Sequence, residues 1–167
     1  TNNNRVQKWE PNATAGTTIA GGNGRSDICN NLSQLYEPLK VTGDAIPWQL
    51  FGKTKEIEDC TIDKDGFDYC LIKPIYDDKI KKYNGETVTI MGYMFPLEES
   101  EKQRKFLIGP YPLSCPFHYH VGPSQVIEIK SDNPVNFSFD PITIKGKLKI
   151  KFNEVTGSFF YLETKKS

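Results

Sequence analysis

The chain has 167 residues, enough for one domain with a hydrophobic core of its own. It carries 21 Lys and Arg residues and 21 Asp and Glu residues, so no net charge attracts a nucleic acid or an anionic membrane. No apolar run in the sequence is long enough to span a bilayer.

The first 45 residues form a polar segment that is rich in Asn, Thr, Gly and Ser. A segment of this composition buries too little apolar surface to offset the entropy of ordering its backbone. We therefore expect residues 1–45 to be flexible and residues 46–167 to form the compact domain. A lipid anchor upstream of Thr1 would make the segment a tether, and it is the one membrane contact that we expect.

From Ile46 onward the hydrophobic residues recur mainly with a period of two, which is typical of β-strands. The segment Ile75–Tyr83 is the exception and predicts one short helix, because Pro74 precedes it and Gly85 follows it. Five to seven short strands predict an all-β fold, either a small closed barrel or a sandwich. The predicted strands are Trp48–Phe51, Phe67–Ile72, Thr87–Phe95, Phe106–Ile108, Gln125–Lys130, Ile142–Phe152 and Ser158–Glu163.

Four cysteines, Cys29, Cys60, Cys70 and Cys115, allow three complete pairings. Cys60 and Cys70 flank the turn sequence Asp63-Lys-Asp-Gly66 almost symmetrically. If this turn joins two strands of a hairpin, the two sulfurs lie close enough to bond, and we predict that disulfide. The alternative is a pair of unrelated thiols in a reducing compartment. The sequence leaves the pairing of Cys29 and Cys115 open.

Several motifs follow one another in the second half of the chain. They are Gly92-Tyr-Met-Phe-Pro-Leu97, Cys115-Pro-Phe-His118, Gly122-Pro-Ser-Gln125 and Pro141-Ile-Thr-Ile-Lys-Gly-Lys-Leu148. This ordered set resembles a family of bacterial exported proteins and lipoproteins that is classed as a domain of unknown function, and the resemblance covers residues 46–162.

The resemblance implies an OB-like β-barrel and a periplasmic or other extracytoplasmic location. It also implies a neighbourhood of ABC-type export systems and zinc-responsive genes. This chain has His118, Tyr119 and His120 where other members tend to have Cys or a run of prolines, so a site shared by the family is expected to be altered here.

Both histidines of the protein lie next to a cysteine, in Cys115-Pro-Phe-His118-Tyr-His120. Thiolate and imidazole are ligands that zinc and copper prefer, and His118 and His120 point to the same side if the segment is extended. The sequence therefore suggests a metal site formed by Cys115, His118 and His120, with a fourth ligand from an acidic residue or water. The alternative is a proline-rich loop with a packed or disulfide-bonded cysteine and surface histidines.

A thiol-dependent enzyme is a further alternative, because His118 would lower the pKa of the Cys115 thiol. Cys115-Pro-Phe-His118 is like a C-x-x-C motif without its second cysteine, and a thiol oxidoreductase needs that resolving cysteine. No βαβ pattern indicates a thioredoxin scaffold, and no oxyanion site is evident. An enzymatic activity is therefore the least favoured hypothesis.

The sequence favours an extracytoplasmic, non-enzymatic binding or accessory module of an envelope transport or assembly system. The expected partner is an envelope protein, for example of an ABC-type transport system, and no nucleic acid. Five prolines stiffen the region around Cys115, and a rigid loop on a β-scaffold is a common place for a contact surface. The competing hypothesis is zinc or copper binding by the same loop.

Overall fold

The computed structural model describes residues 6–8, 17–20, 37–112 and 121–164. The chain divides into two units, Thr1–Glu37 and Pro38–Ser167. In the first unit, strands β1 (Val6–Lys8) and β2 (Thr17–Ala20) form a two-stranded antiparallel sheet. The predicted flexibility of residues 1–45 stays a prediction.

Five strands of the second unit form a closed barrel: β5 (Thr87–Pro96), β6 (Lys102–Gly109), β7 (Ile127–Asn136), β8 (Ile142–Ile150) and β9 (Phe160–Thr164). Their order around the barrel is β5-β6-β7-β9-β8. All neighbours are antiparallel except β7 and β9, which are parallel. Counted from one to five along the chain, the order is 1-2-3-5-4, that of an OB-type barrel, so the predicted all-β, OB-like fold is confirmed.

Alternate residues of the barrel strands point inward and form the core. In β7, for example, Ile127 and Ile129 are fully buried while Lys130 is exposed. Burying one such side chain contributes about 1.5–3 kcal/mol to the free energy of unfolding. The other strands supply fully buried residues in the same way: Ile90, Phe106, Ile108, Leu148, Phe160 and Leu162.

Among the residues that the structure describes, two short α-helices pack against the barrel core, where the sequence predicted one helix. The predicted strand Trp48–Phe51 was wrong, because these residues form helix α1. Trp48 and Phe51 are three positions apart, so both reach the core from one face of the helix. The Trp48 indole N–H donates a hydrogen bond of 2.8 Å to the carbonyl oxygen of Met91.

The predicted helix Ile75–Tyr83 is present but shorter, as helix α2 (Asp78–Lys81). The Asp77 side chain fixes the start of α2 by accepting a hydrogen bond from the Lys79 amide at 2.9 Å. Ile75 instead ends a strand, and Ile80 is the residue of α2 that is buried in the core.

A β-hairpin projects from the barrel, formed by strands β3 (Lys55–Ile62) and β4 (Asp68–Ile75). At its turn, one carboxylate oxygen of Asp63 accepts hydrogen bonds from the amides of Asp65 and Phe67 at 2.9 Å each. Gly66 completes the turn with a φ of 83°, a conformation that favours glycine. Cys60 and Cys70 lie opposite each other and form the predicted disulfide.

Tyr76 joins the end of the hairpin to the barrel. Its ring packs edge-on against Phe159 and Phe160, and its hydroxyl donates a hydrogen bond of 3.0 Å to the Phe159 carbonyl. Burial, with a smaller effect of Tyr161, raises the pKa of Tyr76 from 10.0 to about 12.

The substitution Tyr76→Phe tests this contact through the pH dependence of stability. Below pH 10 the variant loses the hydrogen bond and is less stable by about 1 kcal/mol. As the pH rises from 10 to 12, the unfolded wild-type tyrosine ionises before the folded one. The wild type then loses stability that the variant does not lose, so the difference shrinks or reverses. Urea unfolding of both proteins across this pH range measures the difference in their free energies of unfolding. A difference that does not change with pH would contradict the raised pKa of Tyr76.

Candidate functional site

An open apolar groove of about 540 Å³ lies between the hairpin and the barrel. Its volume falls within the range of about 300–1,000 Å³ that is usual for ligand sites. Leu71 and Ile72 of β4 form one side of the groove. The other side and the floor include Leu107 of β6 and the adjoining residues Val126 and Phe152.

Glu128 of β7 brings a carboxylate to this apolar wall. The hydroxyl of Ser158, another lining residue, donates a hydrogen bond of 2.9 Å to Glu128. Among the described residues that line the groove, Glu128 is the only one with a charged side chain. The groove therefore combines a large apolar surface with one point that favours a cation.

Strand β4 borders the groove with its edge. Three consecutive residues, Cys70, Leu71 and Ile72, line the groove, although successive side chains of a strand point to opposite faces of its sheet. This arrangement arises when the backbone itself runs along the wall. Within the part of the chain that the structure describes, β4 pairs with β3 alone, so its other edge is unpaired. Because three successive residues of β4 line the groove, we infer that this unpaired edge faces it.

The register of the hairpin determines which backbone groups lie on that open edge. The Cα atoms of Cys60 and Cys70 are 4.0 Å apart, which is typical of the closer, non-hydrogen-bonded pairs of an antiparallel ladder. The Asp63 amide donates a hydrogen bond to the Phe67 carbonyl, which makes Asp63 and Phe67 a hydrogen-bonded pair. Hydrogen-bonded and non-hydrogen-bonded pairs alternate along the ladder, so this pair also makes Cys60 and Cys70 a non-hydrogen-bonded pair. The N–H and C=O groups of Cys70 and Ile72 therefore point away from β3, and those of Leu71 point toward it.

Glu56 of β3 anchors the hairpin to the barrel. Its carboxylate accepts hydrogen bonds from the Ser124 amide at 3.0 Å and from the Ser124 hydroxyl at 2.5 Å. Ser124 is buried in the 3₁₀ helix Pro123–Gln125, which leads into β7. A Cβ atom on Gly122 would lie 2.6 Å from the same carboxylate, so a larger residue at this position would displace the Glu56 carboxylate from its present place.

These contacts give the sequence motif Gly122-Pro-Ser-Gln125 a structural role. Gly122 makes room for Glu56, Ser124 binds it, and the Gln125 side chain lies directly against Gly52 after α1. The motif therefore fixes the base of the hairpin and one end of the groove, since Pro123 is also a lining residue.

The hairpin is exposed over most of its length and acidic. Ile62 and Phe67 are 68% and 70% exposed, which is unusual for large apolar side chains on both sides of a turn. Asp59 and Lys73 form an ion pair at 2.5 Å, and the hydrogen bond to Asp59 raises the pKa of Lys73. Residues 55–75 contain three lysines and six acidic residues, Glu56, Glu58, Asp59, Asp63, Asp65 and Asp68.

The predicted metal ligands Cys115, His118 and His120 lie outside the described residues, as does Cys29. Zinc or copper binding by this segment stays a prediction, which metal analysis of the untagged protein and of a His118→Ala/His120→Ala variant checks. Glu58 has an oxygen within 4.8 Å of the sulfurs of Cys60 and Cys70. Those sulfurs are bonded to each other, and a disulfide does not supply the thiolates that metal ions bind.

The sequence did not indicate Glu56, Glu128 or the open edge of β4 as parts of a site. The motif that contains Ser124 was the available signal for the anchor, but its partner Glu56 lies 68 positions away. The sequence pattern indicated Glu128 only as a solvent-facing residue of a predicted strand. No local pattern in a single sequence connects these residues.

The fold and the groove define a class of small all-β domain: an OB-type barrel with a projecting, disulfide-bonded hairpin. The family model described as "Protein of unknown function (DUF3299)" matches residues 63–163, and the chain belongs to the DUF3299 family. The matched region includes β4, the motif at Gly122, four complete strands of the barrel and all of β9 except its last residue, Thr164. No curated protein matches the chain.

The chain is similar to a solved structure, the crystal structure of a DUF3299 family protein from Pseudomonas aeruginosa PAO1. The two sequences are 22% identical, and the TM-score is 0.44. The match covers 57% of this chain and 64% of the Pseudomonas chain, so it spans less than two thirds of that chain's length.

The disulfide indicates an oxidising environment, since such bonds persist mainly outside the cytosol. None of the helices that the structure describes is long and apolar enough to cross a membrane.

The substitution Glu56→Ala tests the anchor. Hydrogen bonds to a charged group contribute about 1.5–3 kcal/mol, so we expect amide exchange in β3 and β4 to speed up about tenfold or more while the barrel core changes little. Glu58→Ala is the matched control, because Glu58 lies on the same face of β3 two residues further along. Equal effects of the two substitutions on hairpin exchange would refute the anchoring role of Glu56.

Proposed function

We propose that this protein is an extracytoplasmic, non-enzymatic binding or accessory module of an envelope transport or assembly system. The groove between the hairpin and the barrel is its contact surface. The observation that carries the proposal is the open apolar groove of about 540 Å³ beside an exposed hairpin.

The composition of the groove favours recognition of a ligand. Apolar side chains supply most of its surface. The Ser158 hydroxyl donates a hydrogen bond to the Glu128 carboxylate. A few polar groups on an apolar surface are typical of sites that hold and orient a partner. The surface is also preformed, because Glu56 and Ser124 hold one end of the hairpin in place.

The proposed location of the protein and its proposed partner are supported by different observations. The Cys60–Cys70 disulfide favours the periplasm or another extracytoplasmic compartment. The family resemblance suggests an envelope protein as partner, for example of an ABC-type system. The segment that contains Cys115 ends at Val121, which lines the groove, so it adjoins the proposed contact surface in the chain.

Site-specific photo-cross-linking in intact cells tests the proposal. A benzoylphenylalanine in place of Leu107, on the groove wall, is expected to capture an envelope protein. The same group in place of Phe139, which is 77% exposed and does not line the groove, is the matched control and is expected to capture none.

Excess unlabelled wild-type protein, added to permeabilised cells, is expected to suppress the cross-link by competing for the same partner. Identical products from both positions, or no product from the groove position, would contradict the proposal.

A further inference from the structure

We propose that the groove binds an extended polypeptide segment, which adds a strand to the open edge of β4 and places a basic side chain beside Glu128. This inference rests on the proposed function and names the chemical class of its ligand. Two observations support it. The outer edge of β4 has unpaired backbone groups, and the groove contains the Glu128 carboxylate.

The backbone of β4 presents unpaired hydrogen-bonding groups to the groove. Cys70 and Ile72 each direct one N–H and one C=O away from β3, and the structure shows no partner for them among the described residues. Pro74, two residues further, has no N–H and ends this row of donors. An extended chain satisfies such an edge by pairing with it, which is how many domains bind peptides.

The side chains around the edge suit the same ligand. A strand paired with β4 would lie about 4.8 Å from it, inside the groove, and every second side chain would face the barrel. The barrel wall at this point is apolar, with Leu107, Val126 and Phe152. An alternating segment with small apolar residues on one face therefore fits the groove.

The charge of the groove favours a basic residue in that segment. Glu128, on the barrel wall, is the only charged side chain among the described residues that line the groove, and the hairpin as a whole has six acidic residues against three lysines. A lysine or arginine near Glu128 would gain from both, whereas an acidic residue would be repelled. The hydrogen bond from Ser158 holds the Glu128 carboxylate in position for this contact.

Strand addition distinguishes a peptide from other occupants. An acyl chain or another small apolar molecule would use the apolar wall and leave the backbone of β4 unpaired. A second copy of this chain would use the same edge and would appear as a dimer. Equal binding of a peptide whose amides cannot pair with β4 would favour the first alternative, and a dimer that needs the β4 edge would favour the second.

The probe is a capped peptide of alternating valine and threonine with one central lysine, titrated into the full chain by calorimetry. Three further peptides serve as controls: one with glutamate at the centre, one with norleucine at the centre, and one with N-methylated amides on one edge. We expect the lysine peptide to bind about tenfold more tightly than the glutamate peptide. We expect the N-methylated peptide, which cannot pair along that edge, to bind at least about tenfold more weakly.

Variants of the hairpin locate the binding edge. Ile72→Pro removes an outward N–H from the groove edge, and Ile62→Pro removes one from the opposite edge of the hairpin. The first is expected to weaken binding about tenfold and the second to leave it unchanged. Ile72→Ala, which keeps the N–H, separates the loss of the side chain from the loss of the donor. An intact Cys60–Cys70 disulfide in each variant shows that the hairpin still forms.

Glu128→Gln tests the charge contact separately. It is expected to weaken binding of the lysine peptide and to leave the norleucine peptide unaffected.

Equal binding of the N-methylated peptide, or equal effects of the two proline variants, would overturn strand addition. A dimer that forms without peptide and is lost in Ile72→Pro would also overturn it, in favour of a second copy. If no peptide binds while Leu107 still captures an envelope protein, the ligand class is wrong and the proposed function stands. If the peptide binds but the cross-link is absent, the ligand class stands and the envelope role is wrong.

Discussion

The hydrogen bonds between Glu56 and Ser124 join the hairpin to the side of the barrel, next to the lining residue Pro123 at one end of the groove. Glu56 reaches the barrel from the first strand of the hairpin, and Ser124 lies buried just before β7. Without this contact the hairpin would be tied to the barrel mainly through the chain at its two ends and through Tyr76. The contact therefore helps to position the hairpin, whose strand β4 forms one side of the groove.

A two-stranded hairpin without a core of its own is at best marginally stable in water. Here the Cys60–Cys70 disulfide and the Asp63 turn stabilise it from within, and the anchor stabilises it from outside. This allows the hairpin to expose large apolar residues such as Ile62 and Phe67 and still keep one conformation. The same exposure carries a risk of aggregation, which the excess of acidic side chains along the hairpin counteracts.

The barrel and the disulfide could be predicted because local patterns determine them. The alternation of buried and outward residues in segments such as Ile142–Ile150 indicates strands directly. The symmetrical spacing of Cys60 and Cys70 around Asp63–Gly66 indicates the hairpin and its bond. The segment Trp48–Phe51 was misassigned because a four-residue apolar run fits a strand and one helical turn equally well.

The site could not be predicted because it depends on contacts between distant parts of the chain. Strand β3 has a high content of charged residues and no apolar alternation, so no pattern in it predicts that Glu56 reaches Ser124. The sequence predicted a site at Cys115 only because cysteine and histidine are common metal ligands. The groove lies beside the end of that segment, at Val121, but it is built from β4 and the barrel.

Binding at β4 requires that its outer edge be unpaired in the free protein, and amide hydrogen exchange resolved by residue tests this most directly. We expect alternation along the strand: the amides of Leu71 and Lys73 pair with β3 and exchange slowly, while those of Cys70 and Ile72 exchange rapidly. The reverse alternation, or uniform protection of all four amides, would contradict this, because the outer edge would then carry other residues' amides or be paired already.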